Sequence, residues 1–445
     1  MAEESEHKFW KTMPVPQTKE EISKQKGELV SGLEHKGIVP TEPSRLPAGF
    51  EWSDLNLSDL HGKDMTDLYE FLRDNYVSDE GNLRFDYSPE TIHWVLFGPG
   101  SKSEYHIAVR LADSKKIVGF IGAIPAHIRV NDKSVFLVEI NFLCVHISLR
   151  SKRLAPVLIK EARRRANVNR IFQAIYTAGI VVPTPIISPR FFHRLLQPKK
   201  CIKCGFAAVS SDDSEAAFTL RHELPRIFDN PLFTGTKYKD RFEVTLFIKK
   251  DQPEVQALTS KYLSQFKVAP DYSKKEFAHT YLPRDEVVYT YCVYDNEFEE
   301  IPKEDAKEEG EKEIEEEIAE MPVTKKCRKL VAMFSFYIVR STVLKPPEEA
   351  KEDPSYNHIA VAYSQCICVD DSASVITKEI VMTKALYLAR DKGCDVFNAL
   401  TMSDHTLRFF KYLNFVPGDG ILNYYLFNYS VGDEIQPKDV HVILI

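Results

Sequence analysis

The spacing of apolar positions changes several times along the chain, and each change marks an element. Met65, Leu68, Phe71 and Leu72 recur at helical spacing within Asp64–Tyr76. Lys116–Val130 reads as a strand followed by a turn at Pro125, so that Ile117–Ile128, interrupted by Gly and Pro, is a hairpin. Val135–His146 is almost continuously apolar, as a buried central strand should be. Pro156–Val168 reads as a helix with Pro156 at its first position, where the missing N–H is tolerated. Ile171–Thr177 is the next strand. The second half repeats the order. Lys329–Val339 and Val361–Val369 are strands, Val375–Lys392 is a helix closed by Gly393, and Asp395–Leu400 is a strand. A helix at Asp404–Leu413 and a long strand at Ile421–Tyr429 follow. Strand, strand, helix, strand occurring twice argues for duplication of one α/β unit. The division falls near residue 225, giving halves of residues 1–225 and 226–445. The polar, proline-punctuated first forty-odd residues read as an arm lying over the body.

Composition narrows the class. A chain of 445 residues suits two domains or two fused halves. With 44% hydrophobic and 28% charged residues it is an ordinary globular protein. No apolar stretch reaches the roughly 18 residues of a membrane span. The opening MAEESEHKFW lacks a basic-then-apolar leader, and the eight cysteines sit mostly in apolar runs, so the expected compartment is the reducing cytosol. The net charge of −7 conceals an uneven distribution. Glu297–Glu320 holds thirteen acids and three lysines, or −10, which leaves +3 on the remainder. That segment reads as a solvated acidic insertion, and the balance gives no sign of nucleic-acid binding.

The stretch most informative about chemistry is EINFLCVHISLRSKRLAPVLIKEARRR, Glu139–Arg165. A buried strand ends in a cationic turn that opens a helix, and Arg150–Arg165 carries seven bases and one acid. Backbone N–H groups at such a turn, with Arg150, Lys152 and Arg153 beside them, form an anion site suited to a pyrophosphate. Order and turn together resemble the acyl-CoA-binding acetyltransferase fold. The resemblance then becomes specific. EINFLCVH, RSKRLAP, the YTAG of Tyr176–Gly179 and the GDG of Gly418–Gly420 resemble the N-myristoyltransferase (glycylpeptide N-tetradecanoyltransferase) family. So do HKFWKTMPVP (His7–Pro16), LPAGFEW, RFDYSPE, GFIGAIPA and DVFNAL, all in order along essentially the whole chain.

That resemblance implies an α/β (α+β) fold of two fused acetyltransferase-like (GNAT) halves with pseudo-twofold symmetry, a mixed central sheet being flanked by helices. It implies transfer of myristate from myristoyl-CoA, a co-substrate, to the N-terminal glycine amine of protein substrates, with no permanent cofactor and no metal. The amino half would hold acyl-CoA and the carboxyl half most of the peptide groove. His7, Lys8, Phe9, Trp10, Cys144 and Val145 would contact CoA or the acyl chain, and Arg150, Ser151, Lys152, Arg153, Leu154, Ala155 and Pro156 the phosphates. Phe142 and Leu143 would supply backbone N–H groups to an oxyanion hole. Asn141 and Thr177 would hold the attacking amine. The peptide would meet Tyr76, Asp79, Phe85, Tyr87, Gly179, Phe191, His193, Ser364 and Asp419. His193 has the ordinary pKa of a general base, but the family assigns it to substrate contact. The base would instead be the carboxylate of Ile445, carried into the core by the apolar run Val440–Ile445.

Several positions depart from the family pattern. Ile147 stands where EINFLCVH is usually followed by lysine, Asn414–Gly420 replaces KFGxGDG, Thr12–Pro16 replaces TQPVP, and Asn75–Tyr87 is one residue short. Cys201-x-x-Cys204 and Cys366-x-Cys368 lack matched spacing and neighbouring histidines, so unligated thiols are expected rather than zinc. The expected protein is a cytosolic, monomeric acyltransferase that does not span a membrane. A short-chain acetyltransferase and an inactive acyl-CoA-binding protein are the alternatives.

Overall fold

The computed structural model describes residues 8–30, 40–77, 82–225, 227, 229–236, 238, 241–300, 325–373 and 375–445. Two sheets dominate it, built by two passes through the same order of elements. The first pass runs β1 (Phe50–Asp54), α1 (Lys63–Asn75), β2 (Leu83–Asp86), α2 (Pro89–Leu96), β3 (His106–Leu111), β4 (Ile117–Val130), β5 (Lys133–Val145), α3 (Leu154–Val168), β6 (Ala174–Ala178) and β7 (Arg190–Leu195). The second runs β8 (Phe242–Leu246), α4 (Gln252–Leu263), β9 (Val268–Pro270), α5 (Lys274–Tyr281), β10 (Val288–Glu300), β11 (Lys325–Val343), β12 (His358–Val369), α6 (Lys378–Asp391) and β13 (Val396–Leu400), then α7 (Leu407–Tyr412), β14 (Val416–Ile421) and β15 (Asn423–Phe427).

The duplication read from the sequence is present, with an exchange that the pattern did not show. The first sheet has the order β15-β6-β5-β4-β3-β1, and β9 also pairs with β4. The second has the order β14-β7-β13-β12-β11-β10-β8, and β2 also pairs with β11. Each unit thus lends two strands to the other: β2 and β7 go forward, β9 and β15 come back. Chain order passes from the first unit to the second between β7 and β8, but sheet membership crosses that division. Burial of apolar side chains on both faces locks the exchange.

Several expected boundaries move for identifiable reasons. The hairpin at Pro125 is absent, because β4 continues through it to Val130. The N–H of Val138, opposite Pro125, donates to Gln173 and so points away from β4. The nitrogen of Pro125 therefore faces the other edge, where pairing with β3 stops at Gly122 and pairing with β9 starts at Ile128. No ladder bond is lost there, which is where a strand proline is tolerated. Pro156 lies third in α3, not first, because the helix opens at Leu154 behind a left-handed Arg153 (φ 60°). The long strand expected at Ile421–Tyr429 is divided into β14, β15 and a short strand at Tyr429–Val431, with Asn428 (φ 53°) at the last break.

The acidic insertion starts later than expected, since Glu297–Glu300 belongs to β10. The remaining expected insertion residues, 301–320, lie outside the described residues. Glu300 is paired with Lys325, so the ends of that segment face each other across a ladder. Replacing residues 301–324 with a two- to four-residue Asn/Gly turn should leave thermal stability and acyl transfer within about a few-fold of the parent, since loop closure costs little per added residue. Circular dichroism melting and peptide turnover would check this. Among the described residues no helix is long and apolar enough to cross a membrane.

Candidate active site

In the first sheet, β5 and β6 run parallel but pair only at Val138–Ala174 and Glu139–Ile175 before parting. Where they part, β5 carries a bulge. Phe120 faces Cys144 and Gly122 faces Asn141, so Phe142 and Leu143 together oppose the single residue Ile121. Phe142 takes a left-handed φ of 54° while its ring is buried. A bulge of this kind lifts backbone groups out of the ladder and turns them toward the opening. Rings of Tyr76 and Tyr87 meet Phe142 edge-on at 5.6 and 5.1 Å, which fixes it in the strained conformation.

The opening leads into one large cavity of about 1850 Å³. Phe142, Leu143, Asn141, Thr177 and Ile445 all line it, so the five expected catalytic residues come together. An apolar stripe of α3, Ala155, Ile159, Ala162 and Ala166, forms a wall, with Val138 and Ile140 of β5 beside it. At the same wall, Lys8, Phe9 and Trp10 close the cavity from the arm. Trp10 stacks on Tyr176 at 5.7 Å, and Tyr176 stacks on Tyr425 at 5.1 Å. The other end, lined by Phe85, Phe191, His193, Gly179 and Asp419, opens as a groove between the sheets.

Not every expected contact lies on this wall. Cys144 is buried in the core, Val145 packs against the cluster that contains Val118 and Leu158, and neither lines the cavity. Ser364 is buried beside the cavity-lining Tyr363 but does not line it, and its Oγ finds no partner among the described residues. His7 and Asp79 lie outside the described residues. Arg150 is exposed, but its guanidinium donates to the carbonyls of Asn75 and Val145, tying the turn to the end of α1. Lys152 and Arg153, with Ser151, stay exposed at the mouth where α3 begins, and Ala155 and Pro156 of its first turn line the cavity. Of the cations in RSKRLAP, Arg150 is thus tied to backbone carbonyls, while Lys152 and Arg153 are exposed. Replacing Lys152 and Arg153 with Ala is expected to weaken CoA binding by about tenfold or more and to flatten its salt dependence, because charge–phosphate contacts are screened. Calorimetry at two ionic strengths decides it.

The side-chain amide of Asn398 positions His193. Its Nδ1 lies 2.6 Å from Asn398 Oδ1, which makes Nδ1 the donor. The ring stands edge-on to Phe206 at 5.5 Å, and its Nε2 side lies against Gly418, where a Cβ would collide with the imidazole. A ring held between Asn398, Phe206 and Gly418 on the cavity lining suits a groove contact. Asp419, exposed at the rim and 3.7 Å from Arg190, is the one acidic side chain among the described lining residues. Among the lining residues that the sequence did not single out are Tyr363 and Tyr337, stacked at 5.1 Å, and Arg163, Phe206, Phe218 and His222.

Comparison with known proteins agrees with this geometry. The chain matches the family described as "Myristoyl-CoA:protein N-myristoyltransferase", its N-terminal domain over residues 31–188 and its C-terminal domain over residues 236–303 and 311–443. The chain belongs to the N-myristoyltransferase family. It is 37% identical to glycylpeptide N-tetradecanoyltransferase 1 of Arabidopsis thaliana, over 100% of this chain and 91% of the relative. With glycylpeptide N-tetradecanoyltransferase 2 of Bos taurus it shares 37% over 95% of this chain and 73% of the other. Its fold is similar to a crystal structure of the Saccharomyces cerevisiae N-myristoyltransferase with bound myristoyl-CoA, with a TM-score of 0.81, 30% identity and coverage of 99% and 100%.

Against the family pattern one residue acquires unexpected electrostatics. Glu139, the first residue of EINFLCVH, accepts a hydrogen bond from Asn141 Nδ2 at 2.8 Å. Burial without a cationic partner pushes its carboxyl from 4.5 up to about 7. The folded protein thus holds a proton there that the unfolded chain gives up near 4.5. The resulting stabilisation is complete below that value and is lost as pH rises through about 7. Glu139→Gln keeps the acceptor for Asn141 and removes the titration. Its stability relative to the parent should rise between pH 5 and pH 8, by about 3 kcal/mol at ~1.36 kcal/mol per unit. Denaturant unfolding at both pH values checks it.

Proposed function

We propose that this protein transfers a myristoyl group from myristoyl-CoA to the α-amine of an N-terminal glycine. The observation that carries the reading is the continuity of one cavity from the start of α3, past the Phe142–Leu143 bulge, to the groove at His193 and Asp419. The CoA phosphates sit at Lys152, Arg153 and the first turn of α3, and the acyl chain lies along Ala155, Ile159, Ala162 and Ala166. Burial of the thirteen carbons beyond the carbonyl contributes on the order of 10 kcal/mol at ~0.8 kcal/mol per CH₂, enough to select chain length.

The chemistry needs no acidic side chain at the thioester. The lifted N–H groups of Phe142 and Leu143 stabilise the oxyanion that forms on attack. Asn141, whose Nδ2 is committed to Glu139, offers its amide oxygen to the glycine amine beside Thr177. The Ile445 carboxylate, at the floor where amine and thioester meet, takes the proton that makes the amine nucleophilic. The carbon–nitrogen bond forms, the carbon–sulfur bond breaks, and the CoA thiolate leaves.

The halves divide the work near residue 225: the first binds acyl-CoA, and the second supplies most of the peptide groove, where Asp419 favours substrates with basic residues after the glycine. The enzyme acts as a monomer in the cytosol. The test is mass spectrometry of the purified protein with a mixture of acyl-CoAs and a Gly-x-x-x-Ser peptide. Myristoylation of the glycine amine supports the reading, transfer of acetyl alone replaces it with a short-chain acetyltransferase, and binding without transfer replaces it with an acyl-CoA carrier.

A further inference from the structure

Behind the reaction floor lies a second cavity of about 110 Å³. Leu444 and Ile445 line both cavities, so the last two residues form the partition between them. Beside that partition, the Asn141–Glu139 hydrogen bond makes a second bridge: Asn141 lines the large cavity and Glu139 the small one. The small cavity lies at the interruption in strand pairing around Pro125, which lines it with Ile128 and Pro270. At ~30 Å³ per water it has room for a short file of water molecules. At the outer end, His127 Nδ1 lies 2.9 Å from Glu276 Oε1, and the imidazole is 43% exposed. Both side chains line the cavity.

Resting on the transfer reading above, the chemistry gives this passage a purpose. A glycine ammonium loses two protons on becoming an amide. One ends on the departing CoA sulfur, and the other is released. With acyl-CoA and peptide filling the large cavity, that proton is left on the side of the floor away from solvent. We propose that the small cavity is its exit, with Glu139 relaying the proton from the reaction floor and the His127–Glu276 pair as the outlet. Glu139 acts through the base rather than on substrate, so it is a positioning and relay residue.

The surroundings fit a carrier. Asn141 on its own strand and the phenols of Tyr272, Tyr337 and Tyr424 face the carboxyl, Ile445 lines the same cavity, and no cation is among the groups acting on it. Its raised value near 7 allows both gain and loss of a proton in neutral solution. His279 and His441 on the same wall are pushed down to about 4 and 3 by burial, so they remain neutral.

The experiment is stopped-flow transfer by the full-length protein, preloaded with myristoyl-CoA and mixed with a glycine peptide. A pH indicator reports proton release and a thiol reagent reports CoA release, from pH 6 to 9, in H₂O and D₂O. Glu139→Gln should lower kcat by about tenfold or more with peptide KM unchanged, delay proton release behind CoA release and enlarge the solvent isotope effect. Glu139→Asp should restore part of the rate. The double substitution His127→Gln with Glu276→Gln, near the surface, should slow proton release several-fold, and it serves as the test if Glu139→Gln does not fold. Simultaneous release of proton and CoA, with parental kcat and pH profile in the Gln variants, would overturn the relay while leaving the transfer reading standing. A parent protein that makes no myristoyl-peptide would overturn the transfer reading and, with it, the relay.

Discussion

Adding even a few residues after Ile445 is expected to reduce the single-turnover rate of acyl transfer by two or more orders of magnitude while leaving myristoyl-CoA affinity unchanged. An extension converts the terminal carboxylate into a neutral amide at the floor of the cavity. Loss of a positioned base costs about 10²–10⁴ in rate. The side chain is a minor factor: Ile445→Leu keeps the carboxylate and nearly the same volume, so its effect should be small. Deleting Leu444 and Ile445 withdraws the carboxylate by about 7 Å at ~3.4 Å per extended residue. It also opens the partition between the two cavities, so it should slow transfer at least as much as the extension. Acyl-CoA binding is expected to survive, because the Lys152–Pro156 turn and the α3 wall proposed to hold it lie on a different element. Untagged, extended and truncated proteins, each preloaded with myristoyl-CoA and mixed with a glycine peptide, provide the comparison. Equal rates for the extended and untagged proteins would remove the carboxylate from the mechanism and return His193 to consideration.

The run Val440–Ile445 also shows how far the sequence could be read. Its apolar character called for burial, and Val440, Val442 and Leu444 are buried. Its surroundings were not legible, because beyond a single bridge from Val440 to Val268 it joins no ladder and instead lies between two cavities. The same division holds for the fold. Apolar periodicity identifies which faces are buried, and so it found the repeated unit. It does not identify which strand lies alongside, and so it missed that β7 and β15 change sheets. Tyr337 and Tyr363 were overlooked for that reason: each reads as a core residue of a central strand until β2 and β7 bring the first unit's chain against it. The bulge at Phe142 has no signature in EINFLCVH as a pattern, since every position there is compatible with an ordinary buried strand. Only resemblance to a known family marked it. Pro125 was misread because a proline in a strand looks like an ending unless the partner strands are known to stop beside it.

Acyl-chain selectivity should be reversible by a single substitution on α3. Ala162 is 5% exposed and sits mid-stripe among the cavity-lining residues of the helix. Ala162 borders both the cavity and a core cluster with Ile121 and Leu158, so in Ala162→Phe the ring takes up cavity space at an overpacking cost of about 1–3 kcal/mol, which thermal melting would register. A ring of that size excludes roughly four methylenes of a fully inserted chain. At ~0.8 kcal/mol each this is about 3 kcal/mol, or roughly 10²-fold in kcat/KM for myristoyl-CoA. On the proposed path along α3, a ten-carbon acyl-CoA would end short of the obstruction beside Ala155 and Ile159, so its kcat/KM should change little. The variant should therefore prefer the shorter chain in direct competition, with peptide KM unchanged because the groove at His193 and Asp419 is untouched. Competition between ten- and fourteen-carbon acyl-CoAs, read by mass spectrometry of the acylated peptide, measures this ratio. If the variant retains the parent's preference for fourteen carbons, the acyl chain does not run along this face of α3. It would then have to lie among Phe206, Phe218 and His222 instead, with the peptide on the α3 side.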